Sequence, residues 1–509
     1  MSIFLVSLLV LLTPDELPKP KLPVGKDTTY VNGPIDKNGY IDFEAALNDR
    51  LSRGVTPDNN ANVLLWKALG PRPEGGDAMP PEFFKRLGID EPPATGDYFI
   101  DLTRFMKDHP PREPEKANEV DNHLIWAGQR PWTAKDYPEI VAWLKANEKP
   151  LAVVVEAAKR PRYFNPLVSR RGNGEPSSLI SCPISGVQKC RYLAAALTAR
   201  AMLRLGEGKY DAAWEDLMAC HRLSRHLTHG ATLIESLVGL SIRLLVQNPT
   251  LAYLEKTPLT SKQILTKLKE LQGLPPLANM VDKIDLGERL VTLDSLQAIR
   301  SGRSDGPNKI PNEEDLAALD KIDWGAALRV CNTWYDQMAA ALRMKDRPAR
   351  EKAFDQLERD LEKLLLARKE LGDLDKLLES GDPSKAVGER IGMVLMGLLA
   401  PAIRKVQGSF ERAEQVDRNL HVAFALAAYR KDTGRYPAKL ADLAPKYLTA
   451  VPNDLFSGKP LIYTSGEKGY FFYSVGINGK DDGGRWYDDD PPGDDPGVKM
   501  PLPALKTNK

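Results

Sequence analysis

The chain has 509 residues, 42% hydrophobic and 27% charged, a globular composition with the length for two to four domains. Its 70 Lys and Arg offset 69 Asp and Glu to a net charge of +1, which excludes a global attraction to nucleic acid or to an anionic membrane. No G-x-S-x-G, G-x-x-x-x-G-K-[ST] or G-x-G-x-x-G occurs, so the nucleophile-elbow and glycine-rich phosphate-loop classes are excluded as well.

The N-terminus reads MSIFLVSLLVLLTPDELPKP. Ile3 to Leu12 is apolar except for Ser7. It is too short for a span of roughly 20 residues and suits the apolar core of a secretory signal peptide. Residues 1–13 therefore read as a signal-peptide-like segment, and export to the bacterial envelope is the expectation; a buried N-terminal strand, or an anchor truncated by a misplaced start, is the alternative. The four cysteines, Cys182, Cys190, Cys220 and Cys331, leave the compartment open. Cys182 and Cys190 are close enough in sequence to pair, while Cys220 and Cys331 lie in helical patterns as buried thiols would.

Residues 24–130 carry many of the 40 prolines and read as short helices among loops. Ile41, Ala45 and Leu51 recur near helical spacing with Phe43 and Leu47 beside them, and NNANVLLWKALG makes a second helix stopped by Gly70 and Pro71. A short helical segment follows around Phe83–Leu87.

Residues 131–275 are strongly helical. Thr133 with Asp136 resembles the two halves of a capping box. Residues 191–226 form two amphipathic stretches about GEGKY, where Gly208, Tyr210 and Ala213 make G-x-Y-x-x-A. That unit resembles the inter-helix turn of a tetratricopeptide repeat, with an ordinary helical hairpin as the alternative. Residues 276–400 continue helical and charged. Phe354, Leu357, Leu361, Leu364 and Leu365 share one face. Ser301–Asp315 reads as an exposed loop, and the thirteen uncharged residues from Ile391 to Ile403 read as a buried core helix.

From residue 401 to 509 the pattern sharpens. Val406, Phe410, Ala413, Val416, Leu420, Phe424 and Ala427 step by three or four along one helix. Arg430 and Lys431 suit its last turn, Gly434 its left-handed cap, and Pro437 blocks continuation. LIYTSGEKGYFFYSV reads as two strands about a Ser-Gly-Glu-Lys-Gly loop. GINGKDDGGRWYDDDPPGDDPG then packs acids among glycines and prolines.

The succession ALAAYRKDTGRYP, APKYLTAVPNDLFSGKPLIY and GYFFYSVGINGKDDGG resembles the soluble domain of the major pseudopilin of type II secretion. The resemblance implies a long helix ending at a G-x-Y-P turn, a Pro-x-Asp turn, a small antiparallel sheet and a calcium-binding loop after a Tyr-Ser-x-Gly strand end. Asn478 then matches the acidic position just after that strand end, and Asp488 and Asp489 match a later acidic pair. Calcium takes six to eight oxygens, and Asn478, Asp481, Asp482, Asp488, Asp489 and Asp490 are the candidate ligands. Glycines 479, 483 and 484 let the backbone curl. Asp494 and Asp495 read as solvated charge. An acidic, solvated tail without a metal is the alternative, and the segment is no EF-hand in any register.

His221, His226 and His229 form a second cluster. At about 100° per residue His226 and His229 share a helix face and His221 does not, so a zinc site is disfavoured.

The fold class expected is mainly α with a small C-terminal α+β domain. The function expected is that of an exported, non-catalytic structural or interaction protein. Protein partners would use the helical middle region, without nucleic acid and without multi-span membrane insertion. Two other readings stay open: a cell-envelope hydrolase with a carboxylate site near the Pro-rich region, and a cytoplasmic helical scaffold.

Overall fold

The computed structural model describes residues 19–73, 78–110, 120–170, 178–302, 317, 319–370 and 381–505. The signal-peptide-like segment, most of the 301–315 loop, and the side chains of Leu364 and Leu365 lie outside the described residues. The protein is mainly α, with one small antiparallel sheet of three strands near the C-terminus.

The N-terminal region is a set of short helices whose starts are set by caps. Asp42 accepts the Ala45 N–H and opens α1, Phe43–Leu51. Starting there turns Phe43, Glu44, Leu47 and Asn48 inward rather than the Ile41, Ala45 and Leu51 spacing, and Ile41 instead pairs with Ile35 in an isolated bridge. Asn60 caps α2, Ala61–Leu69, which stops at Gly70 (φ 79°) as expected. Next come α3 (Pro81–Leu87), α4 (Leu102–Asp108), α5 (Val120–Ala127), α6 (Pro138–Ala146) and α7 (Glu148–Lys159). Thr133 and Asp136 do bond to each other, at 2.7 and 2.9 Å, but within a turn and not at a helix start. The helix waits for Pro138, because the residue before a proline is pushed out of the helical region and proline itself is favoured at the first helical position.

The middle is built from α8 (Ser185–Gly206), α9 (Tyr210–Thr228), α10 (Leu233–Lys256) and α11 (Ser261–Gln272). Gly208 takes a left-handed φ of 74° between α8 and α9. Ala213 is fully buried where those two helices meet. Thr232 and Glu235 form a reciprocal capping box at the start of α10. After α11, the short α12 (Met280–Asp282) runs through a π-helical stretch, Lys283–Glu288, into α13 (Arg289–Arg300). Arg289 is wholly buried there. It bonds Asp285 at 2.6 Å, Asp336 at 2.7 Å and Asn332 at 3.0 Å, with its guanidinium 4.0 Å over the Tyr30 ring. That cluster pins α13 to α14, Trp324–Arg343, and to the loop at Tyr30.

α15, Arg347–Glu370, buries Phe354 and Leu361 against the α14 side of the molecule. α16 spans Pro383–Thr433, 51 residues or about 75 Å at 1.5 Å per residue. The 391–403 stretch lies within its first half and is not a separate element. It buries Met396 and Ile403, packs Gly392 on Ala327 and Val330 of α14, and leaves Leu398 and Leu399 exposed. On length and composition alone, α16 is the one helix among the described residues that could cross a membrane.

Met396 to Ala413 of α16 belongs to an apolar cluster with α1, α13, α14 and α15, whereas Leu420 to Ala428 belongs to a larger one with α5–α11 and the sheet. The expected stripe is buried from Val406 to Phe424, but Val422, Ala423, Ala425, Leu426 and Ala428 are buried too. This end of α16 is covered all round: α10 and α11 pack on it, and β3 covers part of it as well. Gly434 closes the helix in the left-handed conformation, its N–H donating to Arg430. All four cysteines are buried; Cys190, Cys220 and Cys331 are free, and the Cys182 thiol donates to the Ser178 carbonyl at 3.6 Å. Burial pushes the Cys190 and Cys331 thiols up to about 12, so these two stay protonated near pH 7.

Candidate cation site in the aspartate-rich loop

The sheet sets where the acids go. β1 (Ile462–Ser465) and β2 (Tyr470–Tyr473) form the expected hairpin about residues 466–469. β3, Gly497–Met500, returns antiparallel on the other side of β2, pairing Phe472 with Val498. Four residues with one inward Val and one inward Met are too short a run to announce a strand. Yet β3 is what folds the aspartate loop back on the end of β2.

The other anchor is Asp454, in the Pro-Asn-Asp turn and only 2% exposed. It accepts Ser474 Oγ at 2.5 Å, Ser457 Oγ at 2.6 Å and the Phe456 N–H at 3.0 Å. This carboxylate ties the turn to the strand end from which the loop leaves, so its work is structural. The loop then passes through glycines 476, 479, 483 and 484, all at φ of 67–75°. At Gly484 the need for glycine is doubled, since a Cβ would stand 2.2 Å from Phe471 Cζ.

Carboxylate oxygens of Asp482, Asp494 and Asp495 come within 4.8 Å of one another. Asp495 is 1% exposed and so is no solvated charge. Its Oδ2 accepts the Asp482 and Gly484 N–H groups at 2.9 Å each, while its Oδ1 is buried without a partner. Asp494 Oδ2 accepts the Asn478 N–H at 3.1 Å, and its Oδ1 is likewise buried and unpartnered. Burial first, and the neighbouring Asp482 and Asp481 charges after it, raise the Asp495 carboxyl above its usual range against the two backbone donors. The Asn478 amide donates to Asp482 Oδ2 at 2.9 Å and holds that carboxyl below its usual range. The nearest cation, Arg485, reaches Asp482 only at 3.9 Å.

Of the six candidate ligands, the structure brings only Asp482 into this triad. Asn478 lies beside it, but its carbonyl oxygen accepts the Lys480 N–H at 2.6 Å. Asp481 is exposed and accepts Tyr473 Oη and the Gly483 N–H. Asp489 accepts the Trp486 N–H at 2.7 Å. Asp488, Asp489 and Asp490 are not in the triad but line an adjoining cleft of about 830 Å³ with Trp486, Phe471 and Asp495. Asp494 and Asp495, the acids that join Asp482, would have been legible only from Gly497–Met500 as a returning strand.

Family models, curated proteins and solved structures give no match to this chain. The site is therefore read from its own chemistry. Three carboxylates with two orphaned buried oxygens are an all-oxygen donor set, which suits a hard divalent cation such as Ca²⁺ completed by carbonyls or water.

The histidines do not converge on a metal. His221 is fully buried and meets Thr250 Oγ1 at 3.0 Å. His226 meets the Ala158 carbonyl at 3.2 Å, and His229 meets that of Pro276 at 3.4 Å. Burial lowers all three and brings His226 to about 4, so they are neutral near pH 7.

Proposed function

We propose that this is an exported, non-catalytic structural or interaction protein whose C-terminal module is pseudopilin-like and is stiffened by Ca²⁺ in the aspartate-rich loop. The observation that carries the reading is the pair of orphaned oxygens, Asp494 Oδ1 and Asp495 Oδ1, beside Asp482. A buried carboxylate oxygen without a donor costs folding free energy, and a bound dication removes that cost. The long helix capped at Gly434 and the antiparallel sheet that follows support the resemblance. The helical middle supplies the partner surface in this reading.

The test is thermal melting of the full chain against Ca²⁺ and Mg²⁺, with reversal by EGTA. A ligand held only by the folded state raises the melting temperature, by about 2.7 kcal/mol of stability at a hundred times its dissociation constant. The wild type should rise with Ca²⁺ and Asp495→Asn should not. An unchanged wild-type curve at millimolar Ca²⁺ would end the cation reading. Mass spectrometry of the mature N-terminus in each cell fraction tests export: a chain that retains Met1 through residue 13 and is found only in the cytoplasm contradicts it.

The cleft of about 830 Å³ lined by Asp488, Asp489, Asp490 and Asp495 favours a hydrolase as the second reading. Glycoside hydrolysis needs two carboxyls about 5–10 Å apart beside a sugar-sized groove. Turnover of envelope glycans that Asp488→Asn and Asp489→Asn abolish would decide for it.

A further inference from the structure

A second cavity, of about 430 Å³, opens between the end of α7, the segment 160–163, α9 and the turn after α11. Its lining is basic. Lys159, Arg160, Arg162, Arg222 and Arg225 face a single carboxylate, that of Glu270. In a chain whose net charge is +1 this excess is local and owes nothing to composition.

Most of the positive charge is not neutralised. Lys159 is paired, with Glu156 at 2.7 Å and Glu215 at 2.8 Å. Arg160 is held by the carbonyls of Pro57 and Asn60, which fix it without offsetting its charge. Arg225 bonds Asp417 at 2.7 Å, but Asp417 is shared with the fully buried Arg243. Arg225 also leaves Nη1 buried without a partner. Arg162 and Arg222 make no side-chain hydrogen bond or ion pair among the described residues. Glu270 is engaged away from them, by Trp214 Nε1 at 2.6 Å and by Lys267.

Helix ends do not account for the unpaired arginines. The Ala158 carbonyl at the end of α7 is taken by His226, and in the turn after α11 the Pro275 carbonyl is taken by Arg225 and that of Pro276 by His229. The walls between the charges are flat and apolar. The Tyr163 ring stacks on His226 with centroids 6.1 Å apart, and Pro161, Leu274 and Pro275 close the sides. Burial keeps that histidine neutral, so it acts here as wall and not as charge.

A volume in the range of roughly 300–1,000 Å³, apolar walls and a few convergent polar groups describe a small-molecule site. Guanidinium forks match the oxygens of phosphoryl and carboxylate groups two at a time. We propose that this cleft binds a small polyanion, with its phosphoryl or carboxylate groups on Arg162, Arg222 and Arg225 and its body against Tyr163. The proposal is independent of the cation site.

The test uses the full chain at constant ionic strength with EGTA present throughout, so that chelation by the probes does not act through the acidic loop. Melting curves and titration calorimetry are recorded with pyrophosphate, with citrate, and with chloride as the control. The expected result is a melting temperature that rises with a polyanion and not with chloride, and a dissociation constant at least tenfold weaker in R162Q and in R222Q. The charge-matched control K468Q, on the exposed β1–β2 loop, should bind like the wild type. Tighter pyrophosphate assigns a phosphoryl ligand, and tighter citrate a carboxylate one. Arg162 is exposed and Arg222 half-buried, both lie outside the apolar clusters and neither has a side-chain partner among the described residues, so the unliganded melting temperature of each variant should match that of the wild type. No rise with either polyanion, or an equal rise in the R162Q/R222Q double variant, overturns the proposal.

Discussion

The loop between β2 and β3 and the cleft beside Tyr163 both crowd like charges together, yet they are built in opposite ways. In the loop, Asp482, Asp494 and Asp495 come from one short stretch, and the donors that steady them are the loop's own N–H groups. In the cleft, Arg162 and Arg222 come from elements far apart in sequence, and what steadies their neighbour Arg225 is Asp417 on α16. A local cluster announces itself in the composition. One assembled by packing leaves no mark in any single segment.

The largest effect should come from cutting the cleft's support. Asp417 sits below its usual carboxylate range because Arg243 and Arg225 outweigh the burial that opposes its charge. Removing one partner of a buried pair costs about 3–5 kcal/mol. Asp417→Ala should lower the urea unfolding free energy by that amount, since Arg243 is left wholly buried and unpaired. A loss under about 1 kcal/mol would show that the cleft does not depend on α16.

Acidification should separate the two regions by sign. His226 and His421 are both depressed to about 4, so between their ordinary 6.5 and that value the unfolded chain binds more protons than the folded one. Stability is then complete above about pH 6.5 and is lost as pH falls toward 4, by roughly 3 kcal/mol for a group as buried as His226 at about 1.4 kcal/mol per pH unit. Asp495 works the other way. Its raised carboxyl gives stability at low pH that is lost as pH rises through the folded value. Urea midpoints across pH 4–7 should fall on acidification, and less steeply in His226→Gln. The Ca²⁺-dependent part of the melting temperature should fade as pH drops through the raised value of Asp495.

Gly484→Ala probes the loop's own support. The left-handed φ of 75° and the 2.2 Å approach to Phe471 make an added methyl an overpacking change, worth about 1–3 kcal/mol. Circular-dichroism melts should show the loss, and the Ca²⁺ response should fall with it. The smallest effect is expected at the cleft's rim. R162Q and R222Q should change unfolding free energy by no more than about 0.5 kcal/mol, the figure for surface positions without partners. A larger loss would mark these arginines as structural and not as ligand-binding groups.

Much of the scaffold is legible locally. The α2 stop at Gly70, the α8–α9 turn at Gly208, the Gly434 cap and the β1–β2 hairpin all follow from residues within a turn or two of the feature. The misreadings have two causes, a stronger local signal nearby and packing from distant elements. Thr133 fails as a cap because Pro138 decides where α6 begins. Ile41 leaves the α1 face because Asp42 starts that helix one residue later. α16 is buried all round at Leu420–Ala428 because helices and sheet arrive from different sides, where a stripe promised one covered face.

The sequence by itself determined that this chain is helical with a small late sheet, and that its acids gather after Tyr473. Both follow from periodicity, capping and turn chemistry, which act between near neighbours. Only the tertiary structure decided which acids meet, that Asp495 is buried and that Asp488–Asp490 stay out of the triad. It alone carried Arg162 to Arg222, across some sixty residues of chain. Convergence of that kind is set by how helices pack and where a four-residue strand returns, and a spacing of residues along the chain does not contain it.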